Sequence, residues 1–166
     1  LAILALAVSL FLQIGVNYAN DYSDGVRGTD ANRVGPLRLT GSGTVRPQAV
    51  RRAAAITFGL AAVAGSAIVL ITGEWWLLVI GAVSIAAAWY YTGGRYPYGY
   101  AGLGEISVFV FFGLIATVGT AYIQILAIDP MAVLLGINFG FYATAVLLVN
   151  NIRDVATDQV SDKNTL

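Results

Sequence analysis

The sequence predicts an all-α integral membrane protein, a bundle of transmembrane helices. Three observations carry that reading. Of the 166 residues, 58% are hydrophobic and 11% charged, an apolar share well above that of an ordinary soluble domain. The apolar residues gather into five runs close to the ~20 residues a helix needs to cross a bilayer. The polar segments between these runs carry basic residues on alternate sides only, the charge pattern of a multi-pass protein.

The first run covers residues 1–19. It has no basic leader and no small-residue cleavage site, so it reads as a helix rather than a secretion signal. Gln13 and Asn17, one helical turn apart, predict a polar stripe facing the bundle. The second run is 53–72 and the third 75–92. Trp75 and Trp76 at one end of the third, and Trp89, Tyr90 and Tyr91 at the other, suit interfacial aromatic belts. The fourth and fifth runs are 106–128 and 131–149. The short breaks ITGEWW and AIDPM close tight hairpins between runs two and three and between runs four and five. The chain opens inside an apolar run and stops just after a polar one, which predicts a piece of a longer membrane protein, truncated at both ends.

Topology then sorts the charges. Arg27, Arg33, Arg38, Arg46, Arg51, Arg52, Arg95, Arg153 and Lys163 all fall on one side, while the opposite hairpins hold only Glu74 and Asp129. The basic side is expected to be cytoplasmic in the cell membrane. Two stretches there, NDYSDGVRGTD and NNIRDVATDQVSDK, contain six of the nine acidic residues. A topology rule explains the arginines but not why carboxylates share their loops. The two stretches also echo one another, each placing Asn and spaced Asp after an apolar run.

Asp21 and Asp24 are three residues apart, and Asp154, Asp158 and Asp162 are spaced by four. If the helices run on through these segments, each set shares a face. Two carboxylates ~5 Å apart repel by ~3 kcal/mol at an effective dielectric of ~20. A divalent cation reverses that sign. The chain has neither His nor Cys, so any metal must be held by oxygen, which favours magnesium, calcium or manganese. Magnesium usually binds one or two carboxylates together with substrate phosphates, so each stretch is a candidate half-site for a magnesium–diphosphate. Arg33, Arg38, Arg153 and Lys163 flank them as phosphate partners, and the Gly-rich GPLRLTGSGTVRP follows the first. The alternative is a solvated acidic face. The third segment of this side, YTGGRYPYGYAGLGE, contains Tyr91 and Glu105 among five tyrosines when Tyr90 is counted. Its hydroxyls suit a polar aromatic substrate, and an interfacial belt with a Gly-rich turn is the alternative. The formal net charge of zero gives no sign of a nucleic-acid partner, and no protein partner is implied.

NDYSDGVRGTD and NNIRDVATD resemble the two Asp-rich motifs of the UbiA superfamily of intramembrane aromatic prenyltransferases. With YTGGRYPYGYAGLGE between them, the resemblance spans nearly the whole chain and is specific to the branch that prenylates 1,4-dihydroxy-2-naphthoate. It implies a nine-helix bundle of the UbiA prenyltransferase type, of which residues 1–166 would supply helices two to six as a partial domain. It also implies Mg2+ held by Asp21, Asp24, Asp154 and Asp158, gripping a polyprenyl diphosphate. Arg38, Arg153 and Lys163 would neutralise the diphosphate, Asn17 and Asn20 would orient ligands, and Tyr91 and Glu105 would lie by the dihydroxynaphthoate. One departure stands out. Many relatives outside this branch carry Asp where this chain has Gly28, and Asp30 lies two positions on, so Asp30 and Asp162 are weaker candidates.

Two other readings stay open on the sequence. Another aromatic acceptor of the same superfamily is one, and an ion-coupled transporter is the other. A carrier would place its acids near the membrane midplane rather than at helix ends beside arginine.

Overall fold

The computed structural model describes residues 1–29 and 36–160, with side chains up to residue 155. Asp30, Arg33, Asp162 and Lys163, and the side chain of Asp158, lie outside the described residues. Every regular element among the described residues is helical. The elements are α1 (Ala2–Arg27), α2 (Pro47–Thr72), α3 (Leu77–Tyr90), α4 (Gly104–Ile125) and α5 (Pro130–Val160). A 3-10 turn, Tyr98–Tyr100, lies between α3 and α4.

Four of these helices are long and apolar enough to cross a membrane; α3, at 14 residues, is shorter. The third run was expected over 75–92, but its ends are taken up by turns. Gly73, at φ 76, ends α2, and the Glu74 carboxylate then accepts the Trp76 indole N–H at 2.6 Å, so helix starts only at Leu77. α3 spans ~21 Å, short of the ~30 Å hydrocarbon core. The outer helices run further than expected. α1 continues through Asp21 and Asp24 to a left-handed cap at Gly28 (φ 78), and α5 continues through Asp154 and residue 158. Asp21 and Asp24, and positions 154 and 158, therefore lie on helical extensions of membrane spans.

Tight packing is confined to seams. α1 lies against α2 where Gly15 meets the Phe58 ring; a Cβ on Gly15 would sit 2.6 Å from it. Ala19, Ala54 and Phe58 form one buried cluster, with Trp89 and Tyr18 against it. Trp89, expected in an interfacial belt, is thus drawn into the bundle, where it stacks on Tyr22 at 6.3 Å. Trp75, Trp76 and Tyr90 remain exposed. At the opposite end Ala5, Ile68 and Ile123 tie α1, α2 and α4 together. α4 and α5 meet at Gly113, Gly136 and Gly140, a small-residue seam that lets membrane helices approach closely. Gly113 lies in the π-helical stretch Phe109–Ile115 within α4.

Outside these seams the helices expose Ile3, Leu6, Leu70, Leu134, Phe141 and Val146, apolar faces suited to lipid. Gln13 and Asn17 share one face of α1, which the described helices leave uncovered. Asn17 satisfies itself by donating to the Gln13 carbonyl at 2.8 Å. The two acids of the opposite hairpins have local roles. Glu74 holds Trp76, and Asp129 caps α5 by accepting the Met131 and Ala132 N–H groups at 3.3 and 3.1 Å.

Candidate functional site

The site is built where α1 and α5 end and the polar loops fold back. Asp21 and Asp24 share the inner face of the last turns of α1, each 6% exposed. Asp21 holds the following loop. Its Oδ2 accepts the Leu39 N–H and its Oδ1 the Thr40 N–H, both at 2.8 Å. The loop can come this close because residue 25 is glycine; a Cβ there would stand 2.5 Å from Thr40. Arg38, half-buried, is the next residue along this pinned loop, and among the described residues no hydrogen bond or ion pair engages its guanidinium. Asp21→Ala would strand the two amides. It is expected to cost about 1–3 kcal/mol and to speed hydrogen exchange at Leu39 and Thr40, read by mass spectrometry.

Asp24 is held from the third polar segment. The Tyr100 hydroxyl donates to its Oδ1 at 2.7 Å, and Tyr100 also lies within 3.3 Å of the Thr29 hydroxyl. The Arg27 guanidinium sits 5.5 Å from the Tyr100 ring centre and donates to the carbonyls of Thr92 and Gly94. Asn20 accepts the Thr92 hydroxyl at 2.9 Å. The end of α1 is thus clamped to the loop after α3.

Burial, and then the neighbouring Asp24 charge, push the Tyr100 hydroxyl up to about 12 from 10.0. It therefore stays protonated, and a donor, at neutral pH. Because the folded value is the higher one, this contribution to stability is complete below pH 10 and is lost as pH rises towards 12. Alkaline titration should show that loss, and Tyr100→Phe should remove its share of the pH dependence.

The segment itself is organised by its tyrosines. Tyr91 and Tyr98 pack edge to face at 5.5 Å. The Tyr98 hydroxyl donates to the Ala87 carbonyl at 2.8 Å and meets Ser107 at 3.0 Å. Tyr91 lies against Gly99 and Gly104, its Oη 2.9 Å from where a Gly104 Cβ would be. Glu105 is 7% exposed and turns towards α5, where its Oε1 accepts the Asn151 side-chain N–H at 2.6 Å. Its Oε2 is buried without a hydrogen-bond partner.

On α5, Arg153 binds the neighbouring Asp154 through two hydrogen bonds of 2.7 Å. This pair is partly exposed, 41% and 16%, and such pairs are worth at most about 1 kcal/mol. It can open cheaply for a competing anion or cation.

Sequence reasoning put Asp21, Asp24, Asn20, Arg38, Tyr91, Glu105, Arg153 and Asp154 near one end of the bundle, and the described structure does so. Asn17 lies about one turn earlier on α1, exposed, with its amide on the Gln13 carbonyl. The reading missed Tyr100, Arg27, Thr92 and Asn151. Tyr100 was one tyrosine among five, and its partner lies 76 positions away. Asn151 carried a signal: it occupies in the second motif the place Asp21 occupies in the first.

Among the described residues no three acidic groups converge on one point. The donor set still fits magnesium as half-sites. Asp21 and Asp24 are two buried carboxylates on adjacent turns, with oxygen donors throughout, and such an ion takes one or two carboxylates plus phosphate oxygens.

The sequence profile of the UbiA prenyltransferase family matches residues 1–166. The chain belongs to the UbiA prenyltransferase family. It is 52% identical over 165 residues to the 1,4-dihydroxy-2-naphthoate octaprenyltransferase of Mycobacterium tuberculosis, covering 99% of this chain and 56% of that protein. The enzyme of the same name from Mycobacterium leprae is 51% identical, and that of Escherichia coli is 43% identical over 171 residues, each with 99% of this chain and 56% of the relative covered. The chain thus spans about half the length of these UbiA relatives. No solved structure matches it.

Proposed function

We propose that the full-length protein is an intramembrane prenyltransferase. It moves a polyprenyl group from a polyprenyl diphosphate to 1,4-dihydroxy-2-naphthoate, giving demethylmenaquinol for menaquinone synthesis. The observation that carries this reading is the pair of aspartate motifs on helical extensions of α1 and α5, gathered with the third polar segment at one end of the bundle. The names of the relatives support the acceptor. The basic residues of these loops support a cytoplasmic site in the cell membrane.

Asp21 and Asp24 on one side, and Asp154 and Asp158 on the other, would hold Mg2+, which supplies positive charge to the departing diphosphate. Arg38, Arg153 and Lys163 add theirs, Arg153 by exchanging Asp154 for phosphate oxygen. Asp21 fixes the backbone of the loop next to Arg38, so that loop needs little reordering when substrate arrives. In the reaction the allylic C–O bond breaks and diphosphate leaves with its electron pair. The electron-rich ring attacks the allylic carbon at the position bearing the carboxylate. That carboxylate leaves as carbon dioxide, and its bonding pair returns to the ring, so no side-chain base is required there. Apolar faces of the helices would shelter the prenyl tail, and the folded-back loops would keep water from the cation.

Membranes carrying the full-length protein should form prenylated naphthoquinol from polyprenyl diphosphate, dihydroxynaphthoate and magnesium. EDTA should abolish the product and added magnesium restore it. Prenylation of 4-hydroxybenzoate in preference to dihydroxynaphthoate would move the assignment to another acceptor of the family. Turnover that persists in EDTA would contradict the metal role.

A further inference from the structure

Residues 100–105 touch both motifs. Tyr100 donates to Asp24 on α1, and Glu105, five residues on, accepts from Asn151 on α5. Five residues reach at most about 18 Å between Cα atoms, so this segment limits how far apart the ends of α1 and α5 can stand. The attachment to α5 is more than one bond. Thr144 donates to the Glu105 carbonyl at 3.4 Å, and Leu147 lies 3.5 Å from where a Cβ on Gly104 would be. Residues 144, 147 and 151 fall on one helical stripe, and 154 and 158 continue its register. The contact that fixes this stripe against the start of α4 therefore also fixes the rotation of the second motif. Glu105 and Asn151 are each 7% exposed, so leaving their hydrogen bond unmade would strand buried polar groups.

We propose that residues 100–105 are a brace that sets the spacing and facing of the two aspartate motifs, with Glu105 the positioning residue for the second. Glu105 acts through Asn151 and does not itself touch diphosphate or metal. The inference rests on the prenyltransferase reading for its catalytic consequence, while the geometry can be measured without turnover.

The chain has no cysteine, and Val26 and Ile152 are exposed beside the two motifs. Spin labels at Val26→Cys and Ile152→Cys, in full-length protein otherwise free of cysteine and held in nanodiscs, report the distance between motifs. Without metal the brace gives one narrow distance distribution, and Glu105→Ala broadens it. Glu105→Gln, which keeps an oxygen for the Asn151 donor, restores it. In parallel, Glu105→Ala should raise the magnesium concentration for half-maximal turnover about tenfold, as loss of a residue supporting a metal ligand typically does, with Glu105→Gln near the unsubstituted protein. Should Glu105→Ala not fold, Tyr100→Phe removes the other anchor and should broaden the distribution in its place. An unchanged distribution in the folded variant overturns the brace. Equal damage from Glu105→Gln and Glu105→Ala overturns the positioning role in favour of a direct role for the charge. Loss of the prenyltransferase reading would show instead as no turnover by the unsubstituted protein, with the distance result intact.

Discussion

Asp24→Asn is expected to lower prenyl transfer by the full-length protein at least 10²–10³-fold, with thermal stability changed by no more than about 1 kcal/mol. Asn at this position still offers a carbonyl oxygen to the Tyr100 hydroxyl, so the bond that ties α1 to the third polar segment has a replacement acceptor. The charge is what is removed. A neutral amide is a poor partner for magnesium, and half of the carboxylate charge on the last turns of α1 disappears. The contrast is Asp21, whose two oxygens hold the Leu39 and Thr40 amides. Substitution there should disturb the loop as well as the chemistry, so Asp21 variants should lose both stability and turnover. Steady-state kinetics with thermal unfolding of the same preparations separates the two cases. An Asp24→Asn protein with unchanged turnover would remove this residue from the site.

Gly113→Ala is expected to produce the largest loss of stability. A Cβ at this position would stand 2.4 Å from the Gly140 Cα and 2.7 Å from the Gly136 carbonyl oxygen. These are backbone atoms, which cannot rotate aside, so α4 and α5 must separate. Overpacking in well-filled cores costs about 1–3 kcal/mol, and a clash between two backbones belongs at or above the upper end. Separation would also break the register that joins Glu105 to Asn151, so turnover should fall with stability. Gly119→Ala on the same helix is the control. Nothing lies within 4 Å of its Cβ, and alanine is favoured over glycine in a helix by about 1 kcal/mol. It should therefore be neutral or stabilising. Thermal unfolding in nanodiscs checks both.

The membrane architecture was legible because apolar runs and the one-sided distribution of arginine are local features. The motifs were legible for a related reason: carboxylates three and four apart repel unless something compensates, so their spacing itself asked for a cation. What was not legible depends on partners far apart in sequence. Glu105 stood out as an acid in an aromatic loop, but its bond to Asn151, 46 positions away, left no local sign. Trp89 fits an aromatic belt by its place at the end of a run, yet α1 and α2 offered it a seam to fill. Gln13 and Asn17 do share a face of α1, as their spacing required, but spacing does not say which helix covers that face. α3 came out shorter than its apolar run because Trp76 is drawn back to Glu74 before the helix begins.

The central claim is that the two motifs jointly hold a divalent ion and a diphosphate. Manganese, which EPR can count in place of magnesium, tests it directly in full-length protein held in nanodiscs. Retention of the ion should require a prenyl diphosphate, and should be lost in Asp24→Asn and again in Asp154→Asn, each alone. Retention unchanged in both variants, or equally strong without any diphosphate, would contradict it.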